Sequence, residues 1–421
     1  MSAVGATRPR GLWRHRDFRL LWGGQCVSEL GSGVTQLALP LAGVALLGAS
    51  TFQIGLLTAA TYLAFAVVAL PAGALVDRYD QRRIMIASDA ARLVIIGSVP
   101  VARYAGVLSM TQLYVVAIAA GICAVFFDVS YQSYLPVLLE PEHLIDGNSM
   151  VSAAQASAEL VGPGLGGALV GAFGVVGAIS ADAVSYAVSV ASLLAIRHRV
   201  RHDRSAPGDA VGLRDLSAQI AEGLAFIARH PVLRKVAACS GTANLFSAMS
   251  TAVEIIFLVR VLHARLAYTG LIIAGAAIGG VCGGVLAGRI SRRIGSARTI
   301  WFALLVFGLP QILAPLAEPG WRIVLFPMGY AASFFSAVVY NVAQVSYRQT
   351  VCPPRLMGRV NAANRWISWG TLPVGAVIGG ALGAAIGIRP TLWVALTGCW
   401  AAGFWVYFSP LRQLRDLSTD G

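Results

Sequence analysis

Five carboxylates stand inside long apolar stretches of the chain: Glu29, Asp128, Glu159, Asp182 and Glu254. On insertion scales a carboxylate in hydrocarbon costs at least ~2.5–3.5 kcal/mol, so each must face an interior or a polar cavity. A carboxyl group held away from water can load and release protons near neutral pH, which is the chemistry of a proton carrier. Glu29 and Glu159 lie nearest the middle of their stretches and are the leading carriers, with Asp128 and Glu254 as further coupling candidates. The plainer role for each is a structural ion pair, and Arg365, itself inside an apolar stretch, is an available partner.

A second constellation is the loop Gly73-Ala-Leu-Val-Asp77-Arg78-Tyr-Asp80-Gln-Arg82-Arg83, followed by Asp89 and Arg92. Residues 51–76 before it carry no ionisable group except Tyr62. Asp77, at the end of one helix, can accept hydrogen bonds from the N-terminus of a neighbour, whose dipole favours negative charge. Made in one conformation only, that contact biases a two-state equilibrium and acts as a latch. Asp89 and Arg92, three residues apart on the next helix, can pair and extend the cluster. The bland alternative is a basic loop that only sets topology.

Two further sets stand within apolar stretches. Gly162, Pro163, Gly166 and Gly167 are too glycine-rich for a stable isolated helix, each interior glycine costing ~1 kcal/mol against alanine. In lipid they allow close helix approach, and the proline bends the span. Asn244, Tyr340 and Trp369, with Arg365, are candidates for lining a substrate cavity, although packing or lipid-facing roles are as open for the aromatic residues. No GxxxxGK[ST] loop and no HExxH pair occurs, so neither ATP hydrolysis nor a metal centre is expected, and no cofactor. The six histidines all lie near or beyond the ends of apolar stretches, and the six cysteines have no CxxC spacing.

The elements that position these groups follow from composition. A chain of 421 residues that is 57% hydrophobic and 12% charged exceeds what a water-soluble core can hide, soluble domains running near ~25% charged. Lipid is the second solvent, and unbroken apolar blocks make the chain helical rather than a barrel. Crossing ~30 Å of hydrocarbon takes ~20 residues. Hydropathy gives twelve spans, at 18–47, 52–76, 84–104, 111–135, 147–172, 176–196, 236–260, 268–288, 297–317, 321–345, 360–387 and 390–409. The net charge of +13 is distributed by side: 25 basic residues fall on alternate loops and the termini, against 5 on the opposite loops. That bias is the positive-inside rule, so the charge reports a cytoplasmic location for both termini and contact with anionic lipid, not nucleic acid.

Residues 197–235 form the long polar segment, in which Leu213, Leu216, Ile220, Leu224 and Ile227 recur at helical spacing. This reads as a linker with an amphipathic helix on the cytoplasmic face. It separates halves that repeat. Gly73-Ala-Leu-Val-Asp77-Arg78 returns 211 residues later as Gly284-Val-Leu-Ala-Gly288-Arg289, without its acid. Ser133-Tyr134, Pro141 and Asn148 return 213 residues later as Ser346-Tyr347, Pro354 and Asn361, and Gly166-Gly167-Ala-Leu169 returns as Gly379-Gly380-Ala-Leu382. Each half starts and ends on one side, so the repeats are parallel, with a substrate site expected between them.

The loop at residues 73–85 resembles the cytoplasmic loop motif of the major facilitator superfamily, and Gly162-Pro163-Gly164-Leu165-Gly166-Gly167 resembles the antiporter motif of its drug-exporting members. Arg16-Asp17-Phe18-Arg19-Leu-Leu-Trp22, Arg229-His-Pro231 and Gly358-Arg359-Val360 are similar to the macrolide-efflux and enterobactin-exporter branch. That branch often places an acid directly after the Leu-Gly pair of span 1, whereas here Leu30-Gly31 is followed by Ser32, with Glu29 before the pair. The resemblance implies an all-α polytopic membrane protein of twelve transmembrane helices in two pseudo-symmetric six-helix halves. It implies a proton antiporter of the cell (inner) membrane that exports amphipathic small molecules by alternating access. The expected parts are a cytoplasmic N-terminus (1–17), bundles at 18–196 and 236–409, the linker at 197–235 and a cytoplasmic tail (410–421). The expected partners are a small-molecule substrate, protons and membrane lipid, the protein acting as a monomer. Alternatives are export of one metabolite, such as a siderophore or lysophospholipid, or a membrane sensor or assembly protein on a transporter scaffold; no enzyme is expected.

Overall fold

The computed structural model describes residues 15–76, 79–140, 143–197 and 213–416, and the regular structure in them is helical. The elements are α1 (Arg16–Leu46), α2 (Thr51–Val76), α3 (Gln81–Tyr104), α4 (Met110–Leu138), α5 (Leu144–Ala195), α6 (Leu213–Arg229), α7 (Pro231–Ile256), α8 (Leu266–Ile294), α9 (Ser296–Phe302), α10 (Leu325–Val351), α11 (Met357–Ala385) and α12 (Ile388–Ala401). Among the described residues nine segments are long and apolar enough to cross a membrane. One of them, α5, is two spans: at Gly174 (φ 72°, ψ 173°) the chain reverses, giving a first arm at 144–173 and a second at 175–195. With both arms counted and α6 left aside, twelve helices traverse the molecule, as composition and spacing predict.

The ninth span covers Ser296–Leu316, close to the expected 297–317, but is α-helical only to Phe302 and continues as a π-helical turn, Ala303–Phe307, and a 3-10 stretch, Leu309–Leu316. Pro310 and Pro315 remove backbone donors there, so the α ladder cannot continue. Several helices overrun their expected bounds, among them α7, which starts at Pro231, and α8, which ends at Ile294. The tenth helix begins after a 3-10 turn, Trp321–Val324, and runs on to Val351, past the expected 345.

The two ends of the molecule are built differently. At one, here the turn end, six reversals join successive spans, and each passes through a residue of positive φ: Gly48, Gly106, Gly174, His263, Gly320 and Gly387. His263 (φ 52°) is the one residue with a side chain among them. At the opposite, linker end the joints are charged and capped. Asp80 caps α3 by accepting from the Arg83 amide, and His230 Nδ1 accepts from the amides of Val232 and Leu233 to cap α7. The tail caps α9, with Arg415 O accepting from Ala297 N and Asp416 Oδ1 from Ser296 N.

α1 to α5 pack as one bundle, chiefly α1 on α5 and α3 on α4 and α5; α7 to α12 form the other, chiefly α7 on α11 and α12 and α8 on α10. The bundles meet along α2 with α11 and along the first arm of α5 with α8. These seams are tight toward the turn end. A Cβ on Gly380 would lie 2.9 Å from Gly55 Cα, one on Gly167 2.9 Å from Gly270 Cα, and Arg260, in the π-helical turn Phe257–Val261 after α7, donates to Ala49 O across the halves. Toward the linker end Glu159, Arg365 and Trp366 are exposed, and a cleft opens between the halves. The expected amphipathic helix is α6, whose Leu224 and Ile227 pack on the second bundle; the side chains of Leu213, Leu216 and Ile220 lie outside the described residues.

Candidate functional site

Arg92 of α3 is the centre of the site. Its side chain is buried, its Nη1 lies 3.4 Å from Asp89 Oδ1, and its guanidinium sits over the rings of Phe127 and Tyr186 at 5.5 and 5.4 Å. The spacing of three residues puts Asp89 and Arg92 on one helix face. A flat guanidinium between two aromatic faces keeps its charge while shedding water. Around it converge Glu29 from α1, Asp128 from α4 and Asp182 from the second arm of α5, all within electrostatic reach of Arg92. Glu29 Oε1 accepts from Gln25 Nε2 at 2.6 Å, one turn earlier. Asp182 accepts from Ser185 Oγ at 3.1 Å, and the Tyr186 hydroxyl lies 3.0 Å from Ser32 Oγ. Asp89 Oδ2, Asp182 Oδ2, Gln25 Oε1 and the hydroxyls of Tyr131 and Tyr134 are buried with no protein partner among the described residues. This interior is thus rich in groups that a proton or a polar ligand would satisfy.

Small residues bring the helices close enough. A Cβ on Gly31 would meet Asp182 Oδ1 at 2.4 Å, and one on Gly33 would meet Gly162 Cα at 2.9 Å, so α1 touches both arms of α5 through glycines. The expected glycine motif divides between two tasks. Gly162 and Gly166 face α1, the latter against Val34, while Gly167 and the carbonyl of Pro163 meet Gly270 of α8 across the halves. Spacings of four residues account for this, since 162 and 166 share one face and 163 and 167 the next. Glu159 precedes Pro163 by one turn on the cleft side; it is exposed and within electrostatic reach of Glu29.

The other expected residues are scattered. Gly73 falls in the last turn of α2, and Asp77 and Arg78 lie outside the described residues. Arg82 donates through Nε to Leu193 O at 2.9 Å and through Nη2 to Leu194 O at 3.1 Å, binding carbonyls of the last turn of α5. Arg83 makes an exposed pair with Asp80 at 3.5 Å. Asp89 and Arg92 were expected to extend the loop cluster; they turn instead into the carboxyl-rich interior, because burial on α3 directs them toward α4 and α5.

In the second bundle, Glu254 of α7 lies apart, within electrostatic reach of Tyr62 from α2 and Tyr330 from α10. Among the described residues no basic group pairs with it. Tyr340, expected at the cavity, is locked in the core: its hydroxyl is 2.9 Å from Ser240 Oγ and donates to Val236 O. Asn244 Nδ2 donates to Ser240 O, one turn back. Trp369 meets Phe65 of α2 edge to face at 5.5 Å across the halves, and Arg365 stands over the Trp369 ring at 4.9 Å. Arg365 is also within electrostatic reach of Asp128, linking the second half to the carboxyl cluster of the first. Tyr186 escaped the sequence reading. Its signal was present, since Asp182, Ser185, Tyr186 and Ser189 share one helix face.

Comparison with known proteins places this geometry. The chain is 25% identical over 402 residues to the multidrug efflux pump Tap of Mycolicibacterium fortuitum, covering 92% of this chain and 94% of that protein. It is 22% identical over 402 residues to macrolide efflux protein A of Streptococcus pyogenes, covering 95% and 97%. Among solved structures, a bacterial homologue of the iron transporter ferroportin in an inward-facing state superposes with a TM-score of 0.74 at 15% identity, covering 93% of this chain and 98% of that one. The family model of the Major Facilitator Superfamily matches residues 21–371. Twelve helices in two glycine-seamed halves, with that match across most of the length, establish that the chain belongs to the Major Facilitator Superfamily.

Proposed function

We propose that the protein exports amphipathic small molecules by proton antiport, its halves (residues 18–196 and 236–409) rocking about the central cleft. The linker end faces the cytoplasm in this reading, as the distribution of Arg and Lys favours. The observation that carries the proposal is the charge balance at Arg92. One guanidinium faces four carboxyl groups: Asp89 and Asp182 are buried, whereas Glu29 and Asp128 are partly exposed. Asp89 and the two rings hold Arg92 in place. Glu29 and Asp128 are then the groups whose charge is free to change, and Asp128 alone of them reaches Arg365 on the opposite half.

Asp128 and Arg365 both lie toward the linker end, so their attraction draws that end shut. With the linker end open, as here, a substrate enters from the cytoplasm and Asp128 gives up its proton there. The ionised carboxylate pulls Arg365, and α11 with it, across the cleft, which opens the turn end. A proton arriving from outside neutralises Asp128, releases Arg365 and lets the linker end reopen. A ligand or proton shifts such an equilibrium only by its differential affinity for the two states, and this pair supplies one. Asp77 serves as a latch between the end of α2 and the start of α11. Similarity to a multidrug efflux pump and a macrolide efflux protein supports amphipathic drugs as cargo.

The test is efflux of fluorescent dyes and antibiotics from cells expressing wild type, Asp128→Asn, Glu29→Gln or Asp77→Asn, with and without a protonophore. Protonophore-sensitive efflux that Asp128→Asn abolishes at equal expression is the expected result. Efflux indifferent to the protonophore and to every substitution would overturn the proton mechanism.

A further inference from the structure

A crevice of about 520 Å³ lies between α6 and the linker-end portions of α7 and α11, away from the central cleft. Its walls are apolar, with Leu224 and Ile227 from α6 and Ile367 from α11. Ala237, Ala238 and Gly241 on successive turns of α7 leave the space; a Cβ on Gly241 would already meet Ile367 Cγ2 at 3.3 Å. α6 is pinned at a fixed distance, so it does not collapse onto the opening. Gly223 rests on the backbone of Arg359, where a Cβ would meet the carbonyl oxygen at 2.3 Å, and Glu222 pairs with Arg359.

One cation lines the crevice, Arg234. It is exposed, and among the described residues no carboxylate pairs with it; Glu222 is engaged by Arg359, and neighbouring Lys235 lies over the Trp405 ring at 5.0 Å. His230 already caps the α7 amides, so Arg234 is the group left to meet an anion. On the same side of α11 as Ile367 and Thr371, Val374 and Ile378 are exposed and extend the apolar surface beside the crevice. An unpaired cation at the mouth of an apolar slot matches one amphiphile, an anionic lipid with its phosphate on the guanidinium and a chain between the helices.

We propose that this crevice is a binding site for an anionic glycerophospholipid of the leaflet at the linker end. Transported cargo is the wrong occupant: Ile367 and Thr371 lie about 200° around α11 from Arg365 and Trp369, at ~100° per residue, and so face away from the cleft. Free phosphate is also wrong, because it leaves the apolar walls uncovered. The lipid ties α6 to α7 and α11 at the point where Glu222 already holds Arg359.

The experiment uses the purified full-length protein, delipidated and titrated with phosphatidylglycerol or phosphatidylcholine, read by native mass spectrometry and by the thermal shift each lipid produces. Wild type is expected to retain a phosphatidylglycerol adduct that phosphatidylcholine does not replace. Arg234→Gln loses it, Arg234→Lys keeps it, and Ala238→Phe, which fills the slot, loses it with the charge intact. Should Ala238→Phe fold poorly, the Gln and Lys pair at the exposed Arg234 still decides. Equal retention of both lipids, equal binding by wild type and Arg234→Gln, or displacement of the adduct by millimolar inorganic phosphate or by a transported dye would each overturn the proposal.

Discussion

The two halves bury polar groups in different ways. Between α1, α3, α4 and α5 the buried groups are ionisable, and several lack a protein partner: Asp89 and Asp182 each keep one bare oxygen beside Arg92. Between α7 and α10 most are hydroxyls with partners, although Trp301 Nε1 and Arg348 Nε in the same half are buried without one among the described residues. Ser240 meets Tyr340, Ser250 meets Tyr330 at 2.6 Å, and Ser336 donates to Ala303 O. Tyr330 also stacks in a row with Phe326 and Phe257. A neutral network whose bonds are all made rigidifies, whereas an incomplete charged one is poised to change state. The first half therefore holds the more incomplete charged network and the second the more completed neutral one, with Glu254 and Arg348 as charged exceptions in the second half.

The largest effect is expected where that contrast is sharpest. Arg92→Ala strands several carboxyl groups, and breaking a buried pair from one side costs ~3–5 kcal/mol. Transport should be abolished and the melting midpoint in detergent lowered. Arg92→Lys, keeping the charge without the flat stacking group, should recover folding but not full efflux; full recovery would deny the aromatic sandwich a role. Next comes Glu254→Gln. If the second half presents the substrate surface, this change alters the ranking of exported compounds by about tenfold, the scale of a ~1.4 kcal/mol binding term, and leaves protonophore sensitivity intact. Loss of proton coupling instead would erase the division of labour. Tyr340→Phe removes a satisfied hydroxyl and should cost ~1 kcal/mol of stability, with coupling and drug profile unchanged in the efflux assay. Arg83→Ala breaks an exposed pair worth ~0–1 kcal/mol and should change neither midpoint nor efflux.

The helices were legible because lipid forces the signal: every span must be apolar and satisfy its own backbone, so hydropathy and loop charge place twelve of them. The ninth span was placed, but its change from α to π and 3-10 helix was not, since Pro310 and Pro315 are tolerated by composition yet remove ladder donors. The site was legible by residue type and less by partnership. Asp89 and Arg92 pair as their spacing dictates, but whether they joined the loop or the interior depended on which face of α3 meets α4 and α5. Tyr340 showed the same limit from the other side, an aromatic residue fit for a cavity whose hydroxyl instead bonds α10 to α7. The glycine motif was visible as close packing, while its split between α1 and α8 followed only from the tertiary arrangement.

The six positive-φ reversals have a practical consequence for anyone handling the protein. Gly48, Gly106, Gly174, His263, Gly320 and Gly387 turn the chain so tightly that the turn end presents little loop for a protease, an antibody or an inserted tag to grip. Affinity reagents and fusion partners belong at the opposite face, where the charged joints and α6 offer chain to hold, and a reagent added from the turn side will meet mostly helix ends.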